Sequence, residues 1–218
     1  MRIWLSEFIG TSLITMAVVG SAFMATNLSD DTLLQLLVNT IATVCTLAVV
    51  ITIFSPLSGA QFNPVVTLVL AIERKIDSRA IFNYVSAQIV GGIFGVVLAN
   101  LMFENKLFAL STKSRAFGAH YLGESIATAV LVLIILLAIY QKKSGALSYL
   151  VPAWIGSAYF ATVSTSFANP AVTIGRIFTD NFSGINPLSA LSFIIVQLIG
   201  GFLGLAIART LTKEKQNR

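Results

Sequence analysis

Six apolar stretches, each roughly 20 residues long, account for most of this 218-residue chain. They cover residues 4–25, 33–54, 80–103, 118–140, 146–167 and 187–208. One bilayer crossing uses about 20 apolar residues, so six crossings leave room for little else. The apolar share is 56%, the charged share only 11% and the mean hydropathy +0.86. An ordinary soluble domain carries about 25% charged residues, and no soluble core of this length could hide so much apolar surface. A sizeable extramembrane catalytic or nucleic-acid-binding domain is thereby excluded. Unbroken apolarity also excludes the in–out alternation of barrel strands. Helices are the remaining way to satisfy backbone groups in lipid. The first stretch has some features of a secretory signal, but Glu7 interrupts its apolar core.

The net charge of +5 reads as membrane orientation, because the charges fall in short runs between the stretches. With a cytoplasmic N-terminus, ten Lys and Arg lie on the inner side: Arg2, Arg74, Lys75, Arg79, Lys142, Lys143, Arg209, Lys213, Lys215 and Arg218. Lys106, Lys113 and Arg115 lie outside. This bias places both termini in the cytoplasm of a plasma membrane, and short loops with a basic tail suggest a bacterial inner membrane. One cysteine, Cys45, and one histidine, His120, make a Cys/His metal site improbable, and no cofactor is expected.

Two segments do not fit six simple helices. Ser58-Gly59-Ala60-Gln61-Phe62-Asn63-Pro64-Val65-Val66-Thr67 follows the second stretch, and Thr165-Ser166-Phe167-Ala168-Asn169-Pro170-Ala171-Val172-Thr173 follows the fifth. Both are too apolar for solvated loops and too short to cross. They belong to an internal repeat. Glu7 matches Glu124, Asn63-Pro64 matches Asn169-Pro170, and Gln88-x-x-Gly91-Gly92-x-x-Gly95 matches Gln197-x-x-Gly200-Gly201-x-x-Gly204. The chain thus reads as one domain over 1–218 with halves of about 1–110 and 111–218. Three spans per half is an odd number, so the halves are inverted, and such repeats build pathways at their interface near the midplane. Asn is a strong N-cap and Pro suits the first helical position. Each Asn-Pro therefore starts a half-helix of about ten residues, roughly 15 Å. Two of these entering from opposite faces span the hydrocarbon core and meet at its centre. Their positive dipole ends disfavour cations there.

This pattern resembles the aquaporin, or major intrinsic protein, family over essentially the whole length. The residues that carry the resemblance are Asn63-Pro64-Val65, Asn169-Pro170-Ala171, the paired Glu and the Gln-x-x-Gly-Gly-x-x-Gly repeats. It implies an all-α fold of six transmembrane helices plus two re-entrant half-helices, one pore per subunit and a homotetramer in the lipid bilayer. It implies passive conduction of water and small neutral solutes, without catalysis or nucleic acid. It also implies a four-residue selectivity filter, which counting from the matched Asn residues places at Thr43, Ser157, Ser166 and Val172. Most members carry Arg where this chain has Val172, and glycerol-conducting members carry Asp where it has Thr173. Four small residues lacking a fixed cation imply a wide constriction for polyols, urea-like molecules and neutral metalloid hydroxides. An arginine-less filter is similar to that of bacterial aquaporins associated with arsenic handling.

Arg176 bears on this reading. It lies one helical turn beyond Val172 and could hang back over the outer mouth, giving a narrower, water-selective channel. Alternatively it reaches lipid headgroups or pairs with Asp180, and the sequence alone favours that second role. Glu7 and Glu124 are costly in apolar spans and are expected to accept loop N–H groups rather than relay protons. Val65 is expected to affect packing more than the pore, and the glycines to permit close helix contact. Cys45 is expected in the core and His120 at an interface. A secondary carrier is the next reading, since inverted repeats with broken helices occur there too. An intramembrane enzyme would need a nucleophile and base, which the sequence does not display.

Overall fold

Asn63 and Asn169 open the two short helices in the same way. Each is extended, with φ of −149° and −158°. Its side-chain oxygen takes the N–H two residues on, at 3.0 Å from Val65 and 2.9 Å from Ala171. A cap followed by Pro at the first helical position has no wasted donor there. These turns sit within a helical bundle, known from a computed structural model that describes residues 1–216, with side chains through Thr212. The side chains of Lys213 and Lys215, and all of Arg218, lie outside the described residues.

The elements run α1 (Arg2–Leu28), α2 (Thr32–Ser58), α3 (Pro64–Ile72), α4 (Ile81–Met102), α5 (Gly118–Tyr140), α6 (Leu147–Ala161), α7 (Pro170–Gly175) and α8 (Pro187–Gln216). There is no strand among the described residues. The helices α1, α2, α5 and α8, and α4 with the turn before it, are long and apolar enough to cross a membrane. The sixth, α6, is shorter than its apolar stretch. It ends at Ala161, 15 residues long, because the chain leaves the helix at Thr162 to enter the second loop. Its length is about 22 Å. The short helices number nine residues in α3 and six in α7, the latter continued by a 3₁₀ turn over Arg176–Phe178.

The inverted repeat is visible in the packing. α1 lies on α2 and α4, α5 lies on α6 and α8, and α2 meets α6 across the join. Close approach at the long-helix pairs depends on matched glycines. A Cβ at Gly95 would sit 2.1 Å from the Ser12 carbonyl oxygen, and one at Gly204 would sit 2.3 Å from that of Ala129. Such spacing lets backbones touch where lipid supplies no hydrophobic drive. Apolar side chains such as Leu33, Ile41, Val49, Ile53, Leu191 and Ile199 cover the outside of the bundle.

The two ends differ chemically. At the end that carries the start of α1, Glu73 follows α3 and joins Tyr140 of α5 to Arg209 of α8. The Tyr140 hydroxyl donates to Glu73 Oε2, and Arg209 Nη2 lies 2.7 Å from Oε1. At the opposite end, the loop before α5 pairs with the loop before α8. Thr112 N–H donates to Asp180 at 2.8 Å and Asn186 N–H to the Lys113 carbonyl at 2.8 Å.

Candidate pore

The non-helical backbone before each Asn is held by a buried carboxylate. Glu7 Oε1 accepts from the Ser58 hydroxyl at 2.6 Å and Gln61 N–H at 3.0 Å. Its Oε2 accepts from Phe62 N–H at 2.6 Å and Gln88 Nε2 at 2.8 Å. Glu124 repeats the arrangement, accepting from Phe167 N–H at 3.2 Å, from Ala168 N–H and from Gln197 Nε2 at 2.7 Å. Each Gln also reaches the Thr four residues past the Asn, Gln88 to Thr67 at 3.0 Å and Gln197 to Thr173 at 2.9 Å. Thr173 is thereby tied into this scaffold rather than turned to the lumen.

This support holds an unusual backbone. Counting back from each Asn, positions four, three and one are left-handed in both loops. They are Gly59, Ala60 and Phe62 in the first and Thr165, Ser166 and Ala168 in the second, with φ from 45° to 86°. A non-Gly residue there costs about 1–3 kcal/mol and persists only where surroundings over-determine it.

The two Asn meet at the centre. Asn63 Nδ2 donates to the Ala168 carbonyl at 2.7 Å, and Asn169 Nδ2 donates to the Phe62 carbonyl at 2.7 Å. Each amide has two hydrogens, so one ties the loops together and the other is free for a passing solute. A cavity of about 120 Å³ runs past both Asn, from Ile139 and Leu147 near the Glu73 end to Thr43 and Arg176 near the other. Its walls are mostly aliphatic, with Thr43, Asn63, Tyr159, Ser166, Asn169 and Arg176 among the polar lining residues. Pro64, Val65, Pro170 and Ala171 do not line it. Val65 is buried against Gly201 instead, where an added Cβ would sit 2.3 Å from Cγ1.

Three of the four residues counted as a filter come together. Thr43, Ser166 and Val172 all line the cavity. Ser157 does not, and that placement is corrected: it is exposed on the outside of α6. The lining face of α6 consists of Leu147, Val151, Ile155 and Tyr159, four residues apart, which is one helical stripe. Ser157 lies half a turn off that stripe. An ungapped count from Asn169 missed that stripe. Tyr159 then changes the expected shape, because its hydroxyl lies 3.2 Å from Thr43 Oγ1. A bulky phenol occupies the wall where a small Ser was expected. Ser166 Oγ is buried with no hydrogen-bond partner among the described residues.

Arg176 does not pair with Asp180, contrary to the preferred sequence reading. Asp180 is engaged by Thr112 through both N–H and hydroxyl. Arg176 is only 2% exposed and lines the cavity beside Val172. Its Nε donates to the Ser183 carbonyl at 2.5 Å and its guanidinium stacks 3.4 Å from the Phe167 ring centroid. Arg115, which sequence reasoning passed over, approaches the same ring at 4.9 Å. Cys45, expected in the core, is exposed on α2. His120 packs near Phe117 at the start of α5, away from the cavity lining.

Comparison with known proteins agrees with this architecture. The family model described as "Major intrinsic protein" matches residues 1–168 and 158–218. The chain is 45% identical to aquaglyceroporin AqpS of Rhizobium meliloti (strain 1021) over 206 residues, 94% of this chain and 88% of that protein. It is 32% identical to aquaporin TIP2-3 of Arabidopsis thaliana, over 80% of this chain and 74% of that one. Among solved structures, the aquaglyceroporin from Plasmodium falciparum superposes with a TM-score of 0.70 at 21% identity, covering 97% and 94% of the two chains. That likeness concerns the fold. With paired Asn-Pro half-helices, matched carboxylate scaffolds and a family match along its whole length, the chain belongs to the major intrinsic protein family of membrane channels.

Proposed function

We propose that this channel passes water and small uncharged polar solutes, with glycerol-sized polyols as its working class. The observation that carries the reading is a small set of polar residues in an otherwise aliphatic lumen. Asn63 and Asn169, each with a second amide hydrogen beyond the one that ties the loops, are at its centre. A polyol can turn its hydroxyls to those groups and its carbon edge to Ile14, Leu47 and Ile155. Pore width, lining donors and half-helix dipoles are the terms that set such selectivity. The 45% identity to a protein named an aquaglyceroporin supports the same class. Urea-like molecules and neutral arsenite fit the same chemistry, with Val172 standing where most members have Arg.

Thr43, Ser166 and Val172 form the filter in this reading, with Tyr159 as its fourth wall and Arg176 as its outer charge. Glu7 and Glu124 support the loops. The subunit works in a homotetramer of a bacterial inner membrane, both termini cytoplasmic, as the Lys and Arg bias supports.

The test is a pair of substitutions in proteoliposomes. Val172→Arg should cut glycerol entry while retaining water flux, because a second guanidinium enters the narrowest part. Glycerol and arsenite entry unchanged by Val172→Arg refutes the filter assignment. Arg176→Ala should raise cation leak, and an unaltered leak removes Arg176 from the selectivity account.

A further inference from the structure

A second cavity of about 230 Å³ adjoins the pore, with Arg176 in the wall of both. Its wall includes Gln35, Lys113, Arg115, Thr165, Arg176 and Phe182. Three of these are cations drawn from two separate loops. Two of the three are nearly sealed in protein, with Arg115 at 5% exposure and Arg176 at 2%. Loop carbonyls fix both guanidinium groups by one edge. Arg115 Nε donates to Gly184 at 3.1 Å and its Nη2 to Phe182 at 3.0 Å, while Arg176 donates through Nε to Ser183. Among the described residues, that Nε bond is the only side-chain hydrogen bond Arg176 makes, so its terminal nitrogens are left for the cavity.

Glu124 acts electrostatically on both guanidinium groups, but among the described residues no carboxylate forms an ion pair with either. The one ion pair among the described residues joins Glu73 to Arg209 at the opposite end. Asp31 caps α2 through Leu34 N–H, and Asp180 holds Thr112. Burial, then Arg115 and Arg176, hold the Lys113 ammonium below its usual range. Like charges kept this close with no ion-paired carboxylate favour any anion that enters, and a planar guanidinium fork matches an oxyanion edge.

We propose that this vestibule is a binding site for a small oxyanion, held by Arg176 and Lys113 with Arg115 behind them. Arg176 lines both cavities, so a bound oxyanion stands across the pore mouth and obstructs neutral solutes. The channel therefore carries an anion-sensitive brake at the end remote from Glu73.

The test uses purified full-length protein in a neutral detergent, titrated with sodium sulfate against sodium chloride at matched ionic strength. A ligand that binds only the folded state raises the unfolding midpoint with saturation. Wild type should show that rise and a saturable calorimetric heat, and Lys113→Gln should weaken sulfate about tenfold. Arg176→Gln should abolish the response. Lys113 is on an exposed loop, so its variant tests the site even if the Arg176 variant fails to fold. No saturable response in wild type overturns the site, as does an identical response in Lys113→Gln. Sulfate on both faces of proteoliposomes should slow glycerol entry, and unchanged entry at saturation overturns the brake. Absence of glycerol entry in chloride would count against the transport reading alone, since binding is measured independently.

Discussion

Tyr159 and Thr43 show how one residue position alters the wall of the lumen. The Tyr159 hydroxyl and Thr43 Oγ1 lie 3.2 Å apart, so the phenol ring is braced at the wall of the lumen. Tyr159→Ala should raise glycerol permeability several-fold more than water permeability, read by stopped-flow light scattering on the same vesicles. Equal changes in both would mean that Tyr159 does not define the wall. Glu73 provides a second prediction at this scale. Burial alone would raise its carboxyl, but the Tyr140 hydroxyl, Arg209 and Lys75 outweigh burial and bring it below its ordinary 4.5. A lowered folded value means the stabilisation is present above about pH 4.5 and fades as pH falls through the folded value. Glu73→Gln should therefore lower the unfolding midpoint at pH 7, with the gap closing toward pH 3.5. A gap independent of pH contradicts the charge-based role. The residue types at the centre, Asn63, Asn169, Glu7 and Glu124, were legible in the sequence because each appears twice in register. Tyr159, Lys113 and Arg115 were not, because nothing repeats them and their positions depend on α6 phase and loop pairing.

The loops before the two Asn are the elements that hold most strain. Thr165 sits at φ 59° where the first half has Gly59 at 86°. A β-branched residue is poorly suited to that region. Thr165→Gly should gain about 1 kcal/mol of stability, the strain relieved exceeding the added chain entropy. A drop in the unfolding midpoint would show that Thr165 makes contacts that outweigh its backbone. Glu124→Ala should be far worse, at about 3–5 kcal/mol, because it orphans buried donors from Phe167, Ala168 and Gln197. Loss of tertiary structure or a steep fall in midpoint is the expected readout. The half-helices themselves were readable from Asn-Pro capping. The early end of α6 at Ala161 was not, since residues 162–168 hold no charge, Gly or Pro to mark it, while the Phe167 and Ala168 N–H groups are bound to Glu124. Composition cannot distinguish an uncharged helix from an uncharged loop held by a buried carboxylate.

At the scale of the whole molecule, the inverted repeat organises both structure and transport. Each loop hands its Asn amide to the other loop's carbonyl, so neither half completes the centre alone. The outer surface is apolar along the helices, and charge is confined to the ends. The ends are chemically unequal: a Glu73–Tyr140–Arg209 clamp joins elements at one, and three cations line a cavity at the other. The measurement that bears most directly on this account is solute entry into proteoliposomes, comparing water, glycerol and urea with empty vesicles. The account predicts fast, non-saturating glycerol entry well above the empty-vesicle rate, alongside fast water movement. Fast water movement with glycerol excluded would contradict it, and would mean that Tyr159 and Arg176 close the mouth to everything larger than water.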